Sequence, residues 1–183
     1  SGAGATYLVS KAINVKNRDL SSIAIVGAIG DLQDRKFCEL RGMNVEIVND
    51  GKAIGVLQTA KDISYFGKET RPLSKLLQYA SDPFIPGVSG REDTCVAFLQ
   101  ELQIPLKEQD TWRTWIHLSK EEKRKIISAI IQMLLSKGFG YQMASRVIGE
   151  SYLLSKEQVG TELHEAKEYA TLLNSTARYG QYE

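Results

Sequence analysis

A mainly α fold with a minor β component is what this sequence predicts, and three observations carry it. Apolar residues recur at three- and four-residue spacing, most clearly in the stripe Ile126, Ile127, Ile130, Ile131, Leu134 and Leu135. Helix-start signatures stand at Ser119-Lys120-Glu121-Glu122 and Ser155-Lys156-Glu157-Gln158. In each, the hydroxyl can accept the amide three residues on while the third side chain reaches back to the cap. Strand-like alternation, by contrast, is short and lies around Ile54, Val56 and Leu57.

Taken in order, Ala5, Leu8, Val9 and Ala12 predict a helix over 4–13, followed by a polar turn over 14–19. The run 20–29 is apolar or small almost throughout, so periodicity leaves helix and strand open. Ser21, Ser22, Ala24, Ala28 and its glycines suit a helix packed closely in a core. Leu40, Met43, Val45, Ile47 and Val48 predict a helix over 37–48, with Asn49-Asp50-Gly51 as its stop. A strand over 53–59 follows, with 61–66 as its pairing partner and Gly55 and Gly67 bracketing the unit.

Pro72 suits the first turn of a helix lined by Leu73, Leu76, Leu77 and Ala80. Two prolines and two glycines make 82–90 a shaped connection. A helix over 92–102 ends before Pro105, and the capped helix after Ser119 runs to Gly138. A short helix over 142–148 and a last one from Ser155 to about Asn174 complete the chain. Composition changes near 87–90, mixed α and β before it and helical after it, so a division is expected there.

Composition narrows the function classes. The 183 residues, 43% hydrophobic and 25% charged, are those of a globular chain long enough for one ordinary domain, or one and a fragment. No apolar run reaches the roughly 20 residues that span a bilayer. No basic region followed by an apolar stretch opens the chain as a secretory signal would. Cys38 and Cys95 make neither a disulfide framework nor metal-ligand spacing, and read as buried free thiols. His117 and His164 are far apart, so a zinc site is not expected. A formal net charge of +1 gives no general attraction to polyanions, so any nucleic-acid contact must come from local clusters.

The most telling stretch is Ile25-Val26-Gly27-Ala28-Ile29-Gly30-Asp31-Leu32-Gln33-Asp34-Arg35. An apolar run delivers a carboxylate at a glycine, which is how a buried element presents an oxygen ligand to Mg²⁺ or Mn²⁺. A bare Gly-Asp serves equally well to cap or end a core element. Its company is more specific. Ser1-Gly2-Ala3-Gly4-Ala5 precedes it. Phe66-Gly67-Lys68-Glu69-Thr70-Arg71-Pro72-Leu73, Asp82-Pro83-Phe84-Ile85-Pro86-Gly87-Val88-Ser89-Gly90 and Gly160-Thr161-Glu162-Leu163 follow in that order. This ordered set resembles the archaeal RecJ-like branch of the DHH phosphoesterases, over essentially the whole chain. Those are single-strand-specific exonucleases, some of which travel with the GINS replication complex.

The resemblance favours a helix over 20–29. It implies the C-terminal part of an α/β DHH phosphoesterase domain at 1–90, then a helical insertion and partner-binding region at 91–154. A helix at 155–183 would lead to a C-terminal nucleic-acid-binding domain. Asp-His-His and the glycine-rich Gly-Gly-Gly-His loop are not in this sequence. The expectation is therefore an internal piece of a larger protein, inactive by itself.

By the same resemblance Asp31 is a ligand of Mn²⁺ or Mg²⁺ in the full-length parent. The partners would be single-stranded DNA or RNA and GINS, without a membrane, in the cytoplasm at the nucleoid. The alternative is a scaffold. The fold family includes a eukaryotic replication factor that has lost catalysis and binds GINS and the helicase ring. An intact Asp31 favours the enzyme.

Three cations lie in glycine- and proline-shaped loops and are candidates for holding phosphate: Lys68, Arg71 and Arg91. The bland reading of each is a solvated surface charge, and Arg71, next to Pro72, suits a structural clamp as well. Trp112 and Trp115 are core if buried and partner anchors if exposed. Glu162, Glu165 and Glu168 share one helical face at three-residue spacing, but no nucleophile can be named for them.

Overall fold

The computed structural model describes residues 1–178. Its helices and strands, in chain order, are α1 (Gly2–Ile13), α2 (Ser21–Gly30), α3 (Met43–Ala53), β1 (Leu57–Ile63), α4 (Leu73–Gln78), α5 (Glu92–Glu101), β2 (Lys107–Glu108), β3 (Thr111–Trp112), α6 (Lys120–Ser136), α7 (Tyr141–Ala144), β4 (Ile148–Leu154) and α8 (Ala166–Arg178). Short 3-10 turns fill Val15–Leu20, Trp115–His117 and Ser145–Val147. β1 pairs with β4, and β2 with β3 as an antiparallel hairpin in the register Lys107 to Trp112. The predicted class, mainly α with a minor β part, holds.

Two compact units emerge, one from Ser1–Asp62 with the segment from Gly149 onward, the other from Ile63–Ile148. The chain divides there and not near 87–90, because the 82–90 connection is tied into the second unit. Ser89 Oγ donates to the Leu77 carbonyl at 3.0 Å, and the Gly90 amide donates to the Gln78 carbonyl at 2.9 Å.

In the first unit the ambiguous run 20–29 is helical. Ile25, Val26, Ala28 and Ile29 of α2 are buried with Tyr7, Ile47, Leu57, Tyr152, Ala166 and Ala170. A Cβ on Gly27 would stand 2.4 Å from that of Ala3, so α1 and α2 approach too closely at this point for any residue but glycine. Beside this core, Asp50 accepts hydrogen bonds from Tyr7 at 2.8 Å and Lys11 at 2.6 Å, with Arg18 at 3.5 Å. Burial would raise this carboxyl, but the Lys11 and Tyr7 hydrogen bonds and the two cations hold it below the usual range.

Three expectations fail in this unit. The helix expected over 37–48 begins only at Met43, because Cys38 and Gly42 take positive φ of 55° and 62° in the preceding turn. Asn49-Asp50-Gly51 does not stop it, and these three residues lie inside α3. The expected hairpin of 53–59 with 61–66 is replaced by one strand, β1, paired with β4. Ser155 starts no helix, because its amide donates to the Val56 carbonyl at 3.0 Å and the chain stays extended or turned until Ala166. There the Glu165 side chain accepts the Glu168 amide at 3.3 Å and caps α8. Residues 179–183 of the last expected segment lie outside the described residues.

The second unit packs α4, α5 and α6 around Ile63, Leu73, Leu76, Leu77, Ile85, Leu99, Trp115, Ile126, Ile130 and Leu134. The predicted capping box is present: Ser119 Oγ accepts the Glu122 amide at 3.2 Å, and Glu122 accepts the Ser119 amide at 2.8 Å. Glu122 also takes both arms of the Arg113 guanidinium, at 2.8 and 2.7 Å, tying the hairpin's exit to the start of α6. Of the helix expected over 142–148, one turn forms as α7, the 3-10 turn Ser145–Val147 follows, and the chain then enters β4.

Candidate functional site

Asp31 stands where α2 ends. Its amide donates to the Gly27 carbonyl at 3.1 Å, and the two residues after it close a Schellman turn. Leu32 donates to Ile29 at 2.9 Å and Gln33 to Ala28 at 3.1 Å, with Leu32 at φ +58° where glycine is usual. The turn leaves the Asp31 side chain exposed to solvent at the negative end of a buried helix. Both features suit a cation ligand: the carboxylate offers hard oxygens, and the helix C-terminus favours positive charge.

Its neighbour in sequence behaves differently. Asp34 is buried, with Lys167 Nζ at 3.5 Å from its carboxylate, and belongs to the inside of the exit turn. Glu165 and Glu168 are buried too, Glu165 as the cap of α8. Among the described residues no group of three or more His, Cys, Asp or Glu side chains is arranged to hold a metal ion. A metal held at Asp31 would need its remaining ligands from outside these residues.

The three cations proposed from the sequence meet three fates. Lys68 is 4% exposed, beside an equally buried Glu69, so the bland reading of it as a solvated surface charge is corrected. Arg91 is exposed at the N-cap of α5, where Asp93 takes its guanidinium. That local ion pair offsets the charge that would attract phosphate. Arg71 differs from both. Its guanidinium carbon lies 4.4 Å from the centre of the Phe66 ring and 4.8 Å from that of Tyr79, stacked between the two. Gly67, at φ +96°, makes room for this, because a Cβ there would meet Arg71 Cδ at 2.5 Å.

The tryptophan pair is split. Trp115 is fully buried in the core of the second unit, so its reading as a partner anchor is corrected. Its position in the 3-10 turn before α6 points the indole inward, among the apolar side chains of that core. Trp112 is 48% exposed on the β2–β3 hairpin, with Lys107 Nζ 4.5 Å from its ring centre.

Sequence reasoning missed Phe66 and Tyr79 as the walls around Arg71. The only signal for them was the aromatic just before Gly67 and a tyrosine at the end of the Pro72 helix. It also missed Phe37, an exposed ring flanked by Lys36 at 5.1 Å and Arg41 at 3.8 Å.

The DHH-CID domain matches residues 65–148, nearly the whole of the second unit. An uncharacterized protein of Methanocaldococcus jannaschii is 28% identical over 183 residues, which is 100% of this chain and 36% of that protein. The chain thus spans about a third of the length of the curated relative it matches. Among the described residues no helix is long and apolar enough to cross a membrane.

Proposed function

We propose that this chain is part of a divalent-metal-dependent phosphodiesterase, a single-strand-specific exonuclease of DNA replication or repair, in which Asp31 is one ligand of Mn²⁺ or Mg²⁺. One observation carries the reading: a solvent-facing carboxylate fixed at the end of a buried helix, in a chain whose second unit matches a domain of the DHH family. Paired divalent ions, when bound, stabilise the attacking water and the leaving oxygen of a phosphodiester. This chain's part is to fix the backbone that carries Asp31, through the Schellman turn and the packing of α2. With one ligand of the several required, the 183-residue chain is expected not to hydrolyse nucleic acid by itself.

GINS, in the cytoplasm at the nucleoid, is the proposed protein partner. Of the two tryptophans, Trp112 alone is exposed enough to serve as an anchor. The scaffold alternative makes the same partner prediction but needs no metal at Asp31.

Asp31→Ala in the full-length protein separates the two. The expected outcome is loss of Mn²⁺-dependent nucleotide release by two or more orders of magnitude, with melting unchanged or slightly raised, because the residue is exposed. Wild-type turnover by that variant would remove Asp31 from the metal site.

A further inference from the structure

We propose that Arg71 and Tyr79 together hold one nucleotide of a single-stranded nucleic acid, the arginine taking the phosphate and the tyrosine stacking the base. This rests on the reading that the protein acts on single strands, and adds a contact that lies in the second unit and needs no metal.

The observation is an arginine whose charge no carboxylate among the described residues answers. The neighbouring cations are neutralised locally: Lys75 bonds Glu92 at 2.7 Å, Arg91 pairs with Asp93, and Arg146 pairs with Asp82. Arg71 pairs with no carboxylate among the described residues, and its side-chain contacts are the Phe66 and Tyr79 rings. Two aromatic faces fix the plane of the guanidinium but use none of its N–H donors. Its N–H fork, matched to two phosphate oxygens, belongs to a partly exposed residue. Holding that plane in advance removes much of the ordering cost that a free arginine would meet on binding. Gly67 is part of the arrangement, since only a residue without a Cβ lets the Arg71 stem lie across it.

Tyr79 supplies the second half. It is the residue that ends α4, and it is 59% exposed although the guanidinium already covers part of it. Phe84 is exposed too. Its ring lies 3.9 Å from where a Cβ of Gly90 would be, and the Gly90 amide is bonded to Gln78, the residue before Tyr79. The end of α4 therefore carries one open aromatic ring beside a guanidinium that is unpaired among the described residues. A base has a π-face for the ring and its backbone a phosphate for the fork, whereas an acidic peptide would use the fork and leave the rings wet.

The test is the affinity of the 183-residue chain for a fluorescein-labelled oligothymidylate, by anisotropy in EDTA, where no hydrolysis can occur. Wild type is expected to bind. Tyr79→Ala should weaken binding roughly 5- to 150-fold, the range spanned by loss of one base–aromatic stack, and Tyr79→Phe should leave it near wild type. Arg71→Lys keeps the charge but loses the fork, and should weaken binding about tenfold. Arg71→Ala should lower the slope of log affinity against log salt by about 0.7. An abasic strand should bind wild type no better than the normal strand binds Tyr79→Ala.

Equal affinity of wild type and Tyr79→Ala, no binding by wild type, or displacement of the strand by an acidic peptide as readily as by unlabelled strand would each overturn the proposal. Tyr79 is exposed, so its variants fold even where Arg71 variants do not. Binding that survives alongside an active Asp31→Ala enzyme would leave this site standing and remove the metal reading. The reverse pattern would remove this site alone.

Discussion

Gly27→Ala should push α1 and α2 apart, and the structure gives the size of the effect. The added Cβ would stand 2.4 Å from Ala3 Cβ, against an ordinary contact of roughly 3.4–4 Å. Neither atom can rotate away, because each is fixed to its helix backbone. The helices must therefore separate by about an ångström or more, and overpacking of this kind costs about 1–3 kcal/mol. Alanine regains up to about 1 kcal/mol through its higher helix propensity, so a mid-range cost of about 2 kcal/mol leaves a net loss of about 1–2 kcal/mol. At roughly 2–4 °C per kcal/mol for a chain of this size, melting falls by about 2–8 °C. The assay is urea unfolding of four proteins: wild type, Gly27→Ala, Ala3→Gly and the double variant. Ala3→Gly/Gly27→Ala moves the methyl to the other side of the crossing and should recover about 1 kcal/mol relative to the sum of the single changes. Strict additivity, or a Gly27→Ala protein as stable as wild type, would refute the close crossing.

Two further outcomes follow from buried ionisable groups. Asp50 is held below the ordinary carboxyl range, so the stability it contributes is complete above the unfolded value of about 4 and is lost as pH falls through the folded one. The stability gap between wild type and Asp50→Asn, measured by urea unfolding, should therefore narrow below about pH 4. A gap constant to pH 2 would show that the carboxylate's charge contributes nothing. Burial pushes the Cys95 thiol up to about 11, so about one molecule in a thousand carries the thiolate at pH 8. Mass spectrometry after iodoacetamide treatment should find Cys95 unmodified in the folded protein and modified in urea, and equal labelling in both would contradict its burial.

Where the sequence was legible, the signal was local. The Ser119 box and the α6 stripe involve residues within one or two turns of each other, and they form as written. The failures share a non-local cause. Gly51 reads as a helix stop, yet it lies within α3 because a Cβ there would meet Leu57 Cδ1 at 2.6 Å and Ser21 Oγ at 2.8 Å. That glycine serves close packing against residues six and thirty positions away. Ser155 carries the right residues for a cap, but β4 pairs with β1, and the Val56 carbonyl claims the Ser155 amide. A cap contributes about 1 kcal/mol, which a strand continuing across a sheet outweighs.

The same distinction runs through the candidate sites. Asp31 was visible because everything that exposes it is local: the apolar run of α2, and the turn closed by Leu32 and Gln33. Trp115 was misjudged as an anchor because burial depends on what packs from the other side, here the core of α4, α5 and α6. Arg71 lies between the two cases. Its loop was legible, but its chemistry depends on Tyr79, eight residues on, being brought back by one and a half turns of α4. A short helix such as this one of six residues turns its two ends toward the same face or away from it according to its length. Inserting one residue in α4 would rotate Tyr79 by about 100° and leave Arg71 with one aromatic wall. The length of that short helix, more than the identity of any single residue in it, is what makes a stacked guanidinium out of an ordinary surface arginine.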